Sequence, residues 1–288
     1  MELSVSRRAM LGSASAVLLG FAASSSQAQG QGLLARLQAA KKVRVGFANQ
    51  PPFSALNPDG SVTGIAPTIS KQIMTKLGVP QMEGVIATYG ELVPGMQAGR
   101  WDFISASLTI NKQRCSQVKF SDPIVFDGTA IVSLKGALPN PPKLLAEIVR
   151  NKVVIGVQSG GANSRAALAA GIDQANMLQF PNDAAVIDGL IAKRIQVAFG
   201  SNSSLKVAYG MRNLDVVVTY PVPDGPANGS GCAFRPDDTD LYTAYQRELR
   251  AMKASGEYQQ IIKQFGFDAP PPEQLNMTAD QACEVAVG

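Results

Sequence analysis

The chain has 288 residues, 45% hydrophobic and 17% charged, which places it among globular chains with a core rather than disordered ones. Its net charge of +4 is spread along the chain without a Lys/Arg run, so nucleic acid is not an expected partner. There is no histidine, which excludes a Ser-His-Asp triad, histidine acid–base catalysis and most zinc sites.

Arg7 and Arg8 precede Ala9-Met10-Leu11, an apolar run covers residues 14–23, and Ser26-Gln27-Ala28 forms a small-x-small cleavage pattern. Residues 1–28 therefore read as a cleaved secretory signal, and the Ser6-Arg7-Arg8 run resembles a twin-arginine signal. The apolar run falls short of the ~20 residues that span a bilayer. The mature chain is expected in the periplasm, where disulfides persist.

From residue 33 strand-like and helix-like segments alternate. Leu33 to Ala40 reads as a helix and Val43 to Phe47 as a strand ending at the breaker Pro51-Pro52. Pro67 to Leu77 sets Ile69, Ile73 and Leu77 on one helical face. A strand (84–87), a helix (91–98) and a strand (103–107) complete a β-α-β-α-β pattern, the mark of a mainly parallel sheet flanked by helices. After a strand at 130–134 and a Gly/Pro-rich connector at 136–142 the pattern restarts. It runs through strands at 153–157, 177–180, 197–199 and 216–218, with helices at 163–170 and 183–192. A strand at 230–234, a long helix at 238–255 and a last helix at 257–265 follow. Residues 29–135 and 224–268 are expected to form lobe 1, residues 136–223 lobe 2, and residues 269–288 a C-terminal tail. Two α/β lobes imply a cleft between them, the usual place for a small ligand.

Several residues offer chemistry there. Arg114 stands past a strand end, and its guanidinium fork fits a carboxylate; an isolated Arg is more often a surface residue. Gly160-Gly161-Ala162 follows a strand and opens a helix, where free N–H groups attract an anion and glycine admits a close approach; an ordinary turn reads the same way. Phe53 and Tyr89 sit where strands end and could enclose a planar or cationic ligand, or simply pack in the core. Asp122, Asp127, Asp183 and Asp188 carry nothing that marks two of them as a matched acid and base. Cys115, Cys232 and Cys283 are far apart and show no metal or redox spacing, so no metal or cofactor is expected. In an exported chain we expect Cys283 to tie down the tail, with Cys115 the preferred partner; sequence alone leaves the connectivity open.

The block Trp101-Asp102-Phe103 through Thr109 and Arg114 to Phe120-Ser121-Asp122-Pro123 resembles the amino-acid-type (family 3) periplasmic solute-binding proteins of ABC transporters. Gly60 and Gly64, Gly95 with Gly99-Arg100, and Gly256-Glu257-Tyr258 to Phe265-Gly266 fall in that family's order. Within it, Asn49-x-Pro51-Pro52-Phe53, Gly64-x-Ala66-Pro67, Tyr89-Gly90, Arg114-Cys115 and Cys232-x-Phe234-Arg235 are similar to the ectoine/hydroxyectoine-binding branch. The resemblance implies a two-lobed (type II) periplasmic binding protein fold of class α/β with the ligand cleft at the hinge. By the same resemblance, Arg114 would grip a carboxylate and Phe53 and Tyr89 would enclose the ligand body. Ser107 and Thr109 would line the first lobe, while Gly161 and Ala162 would offer backbone from the second. The chain departs from the ectoine binders at Gln50, where they carry an acid, at Thr109, where they carry an aromatic, and at Ala162, where they carry a hydroxyl. Ser201 stands where amino-acid binders place an Asp for the α-amine. The implied function is delivery of a small carboxylate-bearing solute to an ABC transporter permease, by a non-enzymatic monomer. A periplasmic dehydratase on the same fold and a ligand-sensing subunit are the alternatives.

Overall fold

The computed structural model describes Met1, residues 32–225 and residues 229–286. Apart from Met1, the signal expected at residues 1–28 lies outside the described residues.

The first lobe grows from β1 (Lys42–Phe47), whose Val43, Val45 and Phe47 are fully buried. A short hairpin, β2 (Ala55–Leu56) and β3 (Val62–Thr63), leads into helix Ile65–Lys76 and β4 (Gln81–Ile86). Helix Tyr89–Gln97 then leads to β5 (Phe103–Thr109). β1 lies between β4 and β5 and is parallel to both, as two helical crossovers require. Ile65, Ile69, Ile73 and Met74 cover one face with Phe103 and Phe234. Leu92, Val93 and Met96 cover the other around Trp101. Burying each such large side chain contributes about 1.5–3 kcal/mol. Gly95 makes room for that packing, since a Cβ there would lie 2.1 Å from the indole.

Two very short strands follow, β6 (Lys119–Phe120) and β7 (Val125–Phe126). The second sheet then forms from β8 (Thr129–Leu134), β9 (Ile155–Gln158), β10 (Met177–Phe180), β11 (Val197–Ser201) and β12 (Val216–Thr219). Its order is β10-β9-β11-β8-β12. The chain returns to the first sheet as β13 (Gly229–Phe234), antiparallel to β5, β6 and β7. Each sheet is thus mixed: β4-β1-β5 and β10-β9-β11 are parallel, and the strands next to the crossings are antiparallel. A strand that enters a sheet straight from the other lobe, without a helical crossover, is free to run against its neighbour.

The sequence carries lobe 1 through residue 135, but β8 pairs with β11 and β12. The change of sheet therefore falls at Asp127-Gly128, and the Gly/Pro-rich stretch 136–142 comes after it. β6 and β7 have two residues each and no periodicity to announce them. Helices Leu145–Arg150 and Asn202–Gly210 were also not read from the sequence.

The segment read as a tail contains helices Pro272–Leu275 and Ala279–Val285. Ala279, Ala282 and Ala286 are buried in the Trp101 cluster. Cys283 is disulfide-bonded to Cys115, and Cys232 is free and buried. The Asp122 carboxylate accepts from Ala279 N at 3.0 Å, from Gln246 Nε2 at 2.9 Å and from Arg250 Nε at 2.7 Å. The Phe120-Ser121-Asp122-Pro123 block therefore clamps this C-terminal helix onto lobe 1.

Candidate functional site

The two lobes touch across a cleft at the carboxyl ends of their parallel strands. A Cβ built on Gly160 of lobe 2 would lie 2.6 Å from Gly90 N of lobe 1, so the two backbones are packed together. Gly160 has φ +66, a conformation that glycine adopts without steric cost. Gln50 Nε2 donates across the same gap to Asp183 Oδ2 at 2.6 Å. Between these contacts lies a cavity of about 70 Å³. One water needs roughly 10–15 Å³, so the space suits a small solute.

Gln50, Phe53, Tyr89, Ser107 and Thr109 line the cavity from lobe 1, and Gly161, Ala162 and Ser201 from lobe 2. Arg114 is not on the wall itself. Its guanidinium lies at the lobe junction, donating to Thr109 O at 3.0 Å and to Gly160 O at 3.5 Å. Asn111 caps the short helix Lys112–Cys115 by accepting from Arg114 N at 2.9 Å, which fixes the position of that residue. Arg114 is 6% exposed and takes part in no ion pair among the described residues. Burial first, and the nearby Arg165 guanidinium second, push its pKa down, as expected of a buried cation lacking an anion. Arg165 also donates to Gly160 O, at 3.2 Å, and its Nη2 is buried without a partner.

The helix Ala162–Ala169 adds to this positive character. Its N-cap, Gly161, has no side chain to satisfy the first-turn N–H groups. Gly161 N itself is donated to Gln158 O at 3.3 Å, so the free N–H groups are those of Ala162 and Asn163. Both residues line the cavity, and such a helix terminus favours an anion.

On the lobe 1 side, Ser107 has φ +47, a strained conformation for a non-glycine residue that tends to persist at functional sites. It belongs to an irregularity opposite Gly231 and Ala233, where β5 and β13 lose register. The Ser107 hydroxyl is buried and has no partner. Tyr89 spends its hydroxyl on Ala106 O at 2.9 Å and is 6% exposed, so its ring is its contribution to the wall. Burial, then the Asp183 charge, raises its pKa. Phe53 packs on Phe267 with centroids 6.0 Å apart.

The sequence reading missed Asp127, Gly128, Thr129, Gln158, Asn163 and Ser230, which also line the cavity. Gln158 ends β9, and a polar residue at the carboxyl end of a parallel strand was a usable signal. Asp127 and Thr129 lie at the change of sheet, which no periodicity marks. The Asp127 carboxylate accepts from Ser201 Oγ, from Ser203 N at 3.2 Å and from Ser203 Oγ at 3.0 Å. Burial raises the pKa of Asp127 more than these bonds lower it, and it likewise raises that of Asp183. Among the described residues no group of three or more His, Cys, Asp or Glu side chains is placed to hold a metal ion.

Comparison with known proteins agrees with this architecture. Residues 43–268 match the family model of bacterial extracellular solute-binding proteins, family 3. A probable amino-acid ABC transporter periplasmic-binding protein of Sinorhizobium fredii is 26% identical over 251 residues, covering 84% of this chain and 83% of that one. The L-arginine-binding protein of Pseudomonas aeruginosa is 27% identical over 239 residues, covering 79% of this chain and 89% of that one. The crystal structure of EhuB in complex with hydroxyectoine superposes with a TM-score of 0.83 at 34% identity, covering 87% of this chain and 97% of that one. An ancestral amino-acid-binding protein, AncCDT-1, described as a precursor of cyclohexadienyl dehydratase, gives a TM-score of 0.72 at 25% identity, covering 82% and 99%. With a two-lobed fold, a cleft at the strand ends and a family match over residues 43–268, the chain belongs to family 3 of the bacterial extracellular solute-binding proteins.

Proposed function

We propose that the protein captures a small carboxylate-bearing solute in the periplasm and delivers it to the permease of an ABC importer. The observation that carries this reading is Arg114, a buried guanidinium without an anionic partner beside the cavity. A ligand carboxylate supplies that missing charge, and the free N–H groups of Ala162 and Asn163 add donors from the other lobe. Lobe closure through Gly90–Gly160 and Gln50–Asp183 makes the liganded form distinct, which is what a permease must recognise. One chain supplies both lobes of the cleft, which fits a monomer without a nucleic-acid partner. The relatives named above support the class of solute, amino acids and ectoine-like compounds, and the periplasmic location. Export by a cleaved signal peptide brings the protein to that compartment.

A dehydratase-type enzyme is the second reading, favoured by two buried cleft carboxylates, Asp127 and Asp183, with raised pKa values. The donors around them argue for binding instead. Every hydrogen bond given to Asp127 favours its ionised form, whereas a general acid must arrive protonated. A thermal-shift screen of amino acids, ectoines, betaines and small carboxylates tests the binding reading. A ligand at 100 times its Kd adds about 2.7 kcal/mol to stability. A stabilising solute recovered unchanged after prolonged incubation supports capture; steady conversion of that solute establishes the enzyme.

A further inference from the structure

Asp127 sits on the two-residue crossing between the lobes, between β7 and β8, and lines the cavity. Ser201 and Ser203 hold it at the start of helix Asn202–Gly210, where the helix terminus favours negative charge. It has no cationic partner among the described residues. Two of its hydrogen bonds fall on Oδ2 and one on Oδ1, so Oδ1 keeps a lone pair to offer. Two further acceptors line the same cavity: Ser107 Oγ and Thr129 Oγ1 are buried hydroxyls without partners, each residue only 5% exposed. Phe53 and Tyr89 add ring faces, which attract a cation. The cavity region therefore holds a buried positive group, Arg114, and a buried negative group, Asp127, neither of them neutralised.

We infer that Asp127 is the counter-charge for a cationic N–H group of the solute, so that the cleft selects a zwitterion with its carboxylate toward Arg114 and its ammonium or amidinium toward Asp127. Ser201, at the end of β11, orients this carboxylate by donating to Oδ2. Gln50 and Ser201 line the cavity without a charge of their own, and the crossing between the lobes brings the Asp127 carboxylate to the same wall. This inference rests on the solute-binding reading proposed above and narrows its substrate class.

Calorimetric titration tests it with four probes on the mature protein. Ectoine, L-proline and L-arginine carry an amidinium, a secondary ammonium and a primary ammonium; cyclopentanecarboxylate has a carboxylate and no nitrogen. The protein is expected to bind at least one zwitterion about 30-fold or more tightly than cyclopentanecarboxylate, a comparison that needs no variant. Asp127→Asn is expected to weaken that zwitterion about 30-fold or more and to leave cyclopentanecarboxylate unchanged, with Asp127→Glu retaining part of the preference. If cyclopentanecarboxylate binds as tightly as the zwitterions, or Asp127→Asn keeps full zwitterion affinity, the role of Asp127 is overturned while solute binding stands. If none of the four gives heat or a thermal shift at millimolar concentration, the solute-class reading falls, and this inference with it.

Discussion

Gln50 Nε2 donates to Asp183 Oδ2 at 2.6 Å, linking the loop after β1 in lobe 1 to the first turn of helix Asp183–Ile191 in lobe 2. Gln50 is therefore a bridge between lobes as well as a wall of the cavity. The resemblance to ectoine binders suggests an acid at this position, but an acid here would face a buried acid. Juxtaposed like charges in an interface cost several kcal/mol. Gln50→Glu is expected to weaken the binding of any solute by about tenfold or more, and adding Asp183→Asn should recover most of the loss. A double-mutant cycle by calorimetry measures the coupling; additive effects would show that the two side chains do not meet in the bound form.

Gly160 of lobe 2 packs directly against Gly90 of lobe 1. Gly160→Ala meets Gly90 N at 2.6 Å and strains a φ of +66. Gly171→Ala is the control, since Gly171 has φ +89 but nothing within 4 Å of its Cβ. Both variants should lose about 1 kcal/mol of stability from backbone strain. Only Gly160→Ala should also lose solute affinity and remain open in solution scattering when ligand is added. Equal affinity in both variants would mean that closure does not bring these backbones together.

Burial raises the pKa of Asp183, so the folded protein keeps that proton to higher pH than the unfolded chain does. The resulting stabilisation is complete below the unfolded value of about 3.9 and fades as pH rises through the raised folded value. Asp183→Asn keeps an acceptor for Gln50 and removes the ionisation. Its melting temperature relative to the parent should therefore climb as pH increases from about 4 to 7. Parallel melting curves across that range would contradict the assignment.

The disulfide between Cys115 and Cys283 fastens the last helix one residue away from Arg114. Cys283→Ser should cost about 2–5 kcal/mol in chemical denaturation and raise hydrogen exchange in helix Ala279–Val285. In the parent, thiol titration of the denatured, non-reduced protein should find one free thiol, that of Cys232. Three free thiols would show that the bond does not form.

The legibility of the chain followed the size and regularity of its elements. The expected strand Met177–Phe180 coincides with the observed one, and helix Thr239–Ser255 differs by one residue, because a compact apolar run marks the first and a periodic face of Leu241, Tyr245, Leu249 and Met252 marks the second. The tail helix carries a legible start in the Thr278-x-x-Gln281 capping box, but Pro270-Pro271-Pro272 just before it gives the segment the composition of a loop. Helix Tyr89–Gln97 begins two residues before the segment expected from 91, at the Thr88-x-x-Glu91 capping box. In the cleft, the wall residues at strand ends were legible, and those at the crossing were not. Asp127 owes its position to a change of sheet between two-residue β7 and β8, and its hydrogen bonds come from the end of β11 and the helix that follows it, 74 residues later at Ser201 and 76 at Ser203, a relationship that exists only in the fold.

A solute carboxylate completes the charge of Arg114. The most direct measurement of this pairing is the calorimetric Kd of the most stabilising solute from the thermal-shift screen, for the parent and for Arg114→Ala, with melting curves confirming that both are folded. Arg114→Ala is expected to lose about 2–5 kcal/mol, roughly 30-fold or more in Kd, because the carboxylate would be desolvated without its charged partner. Equal Kd values in the two proteins would contradict it.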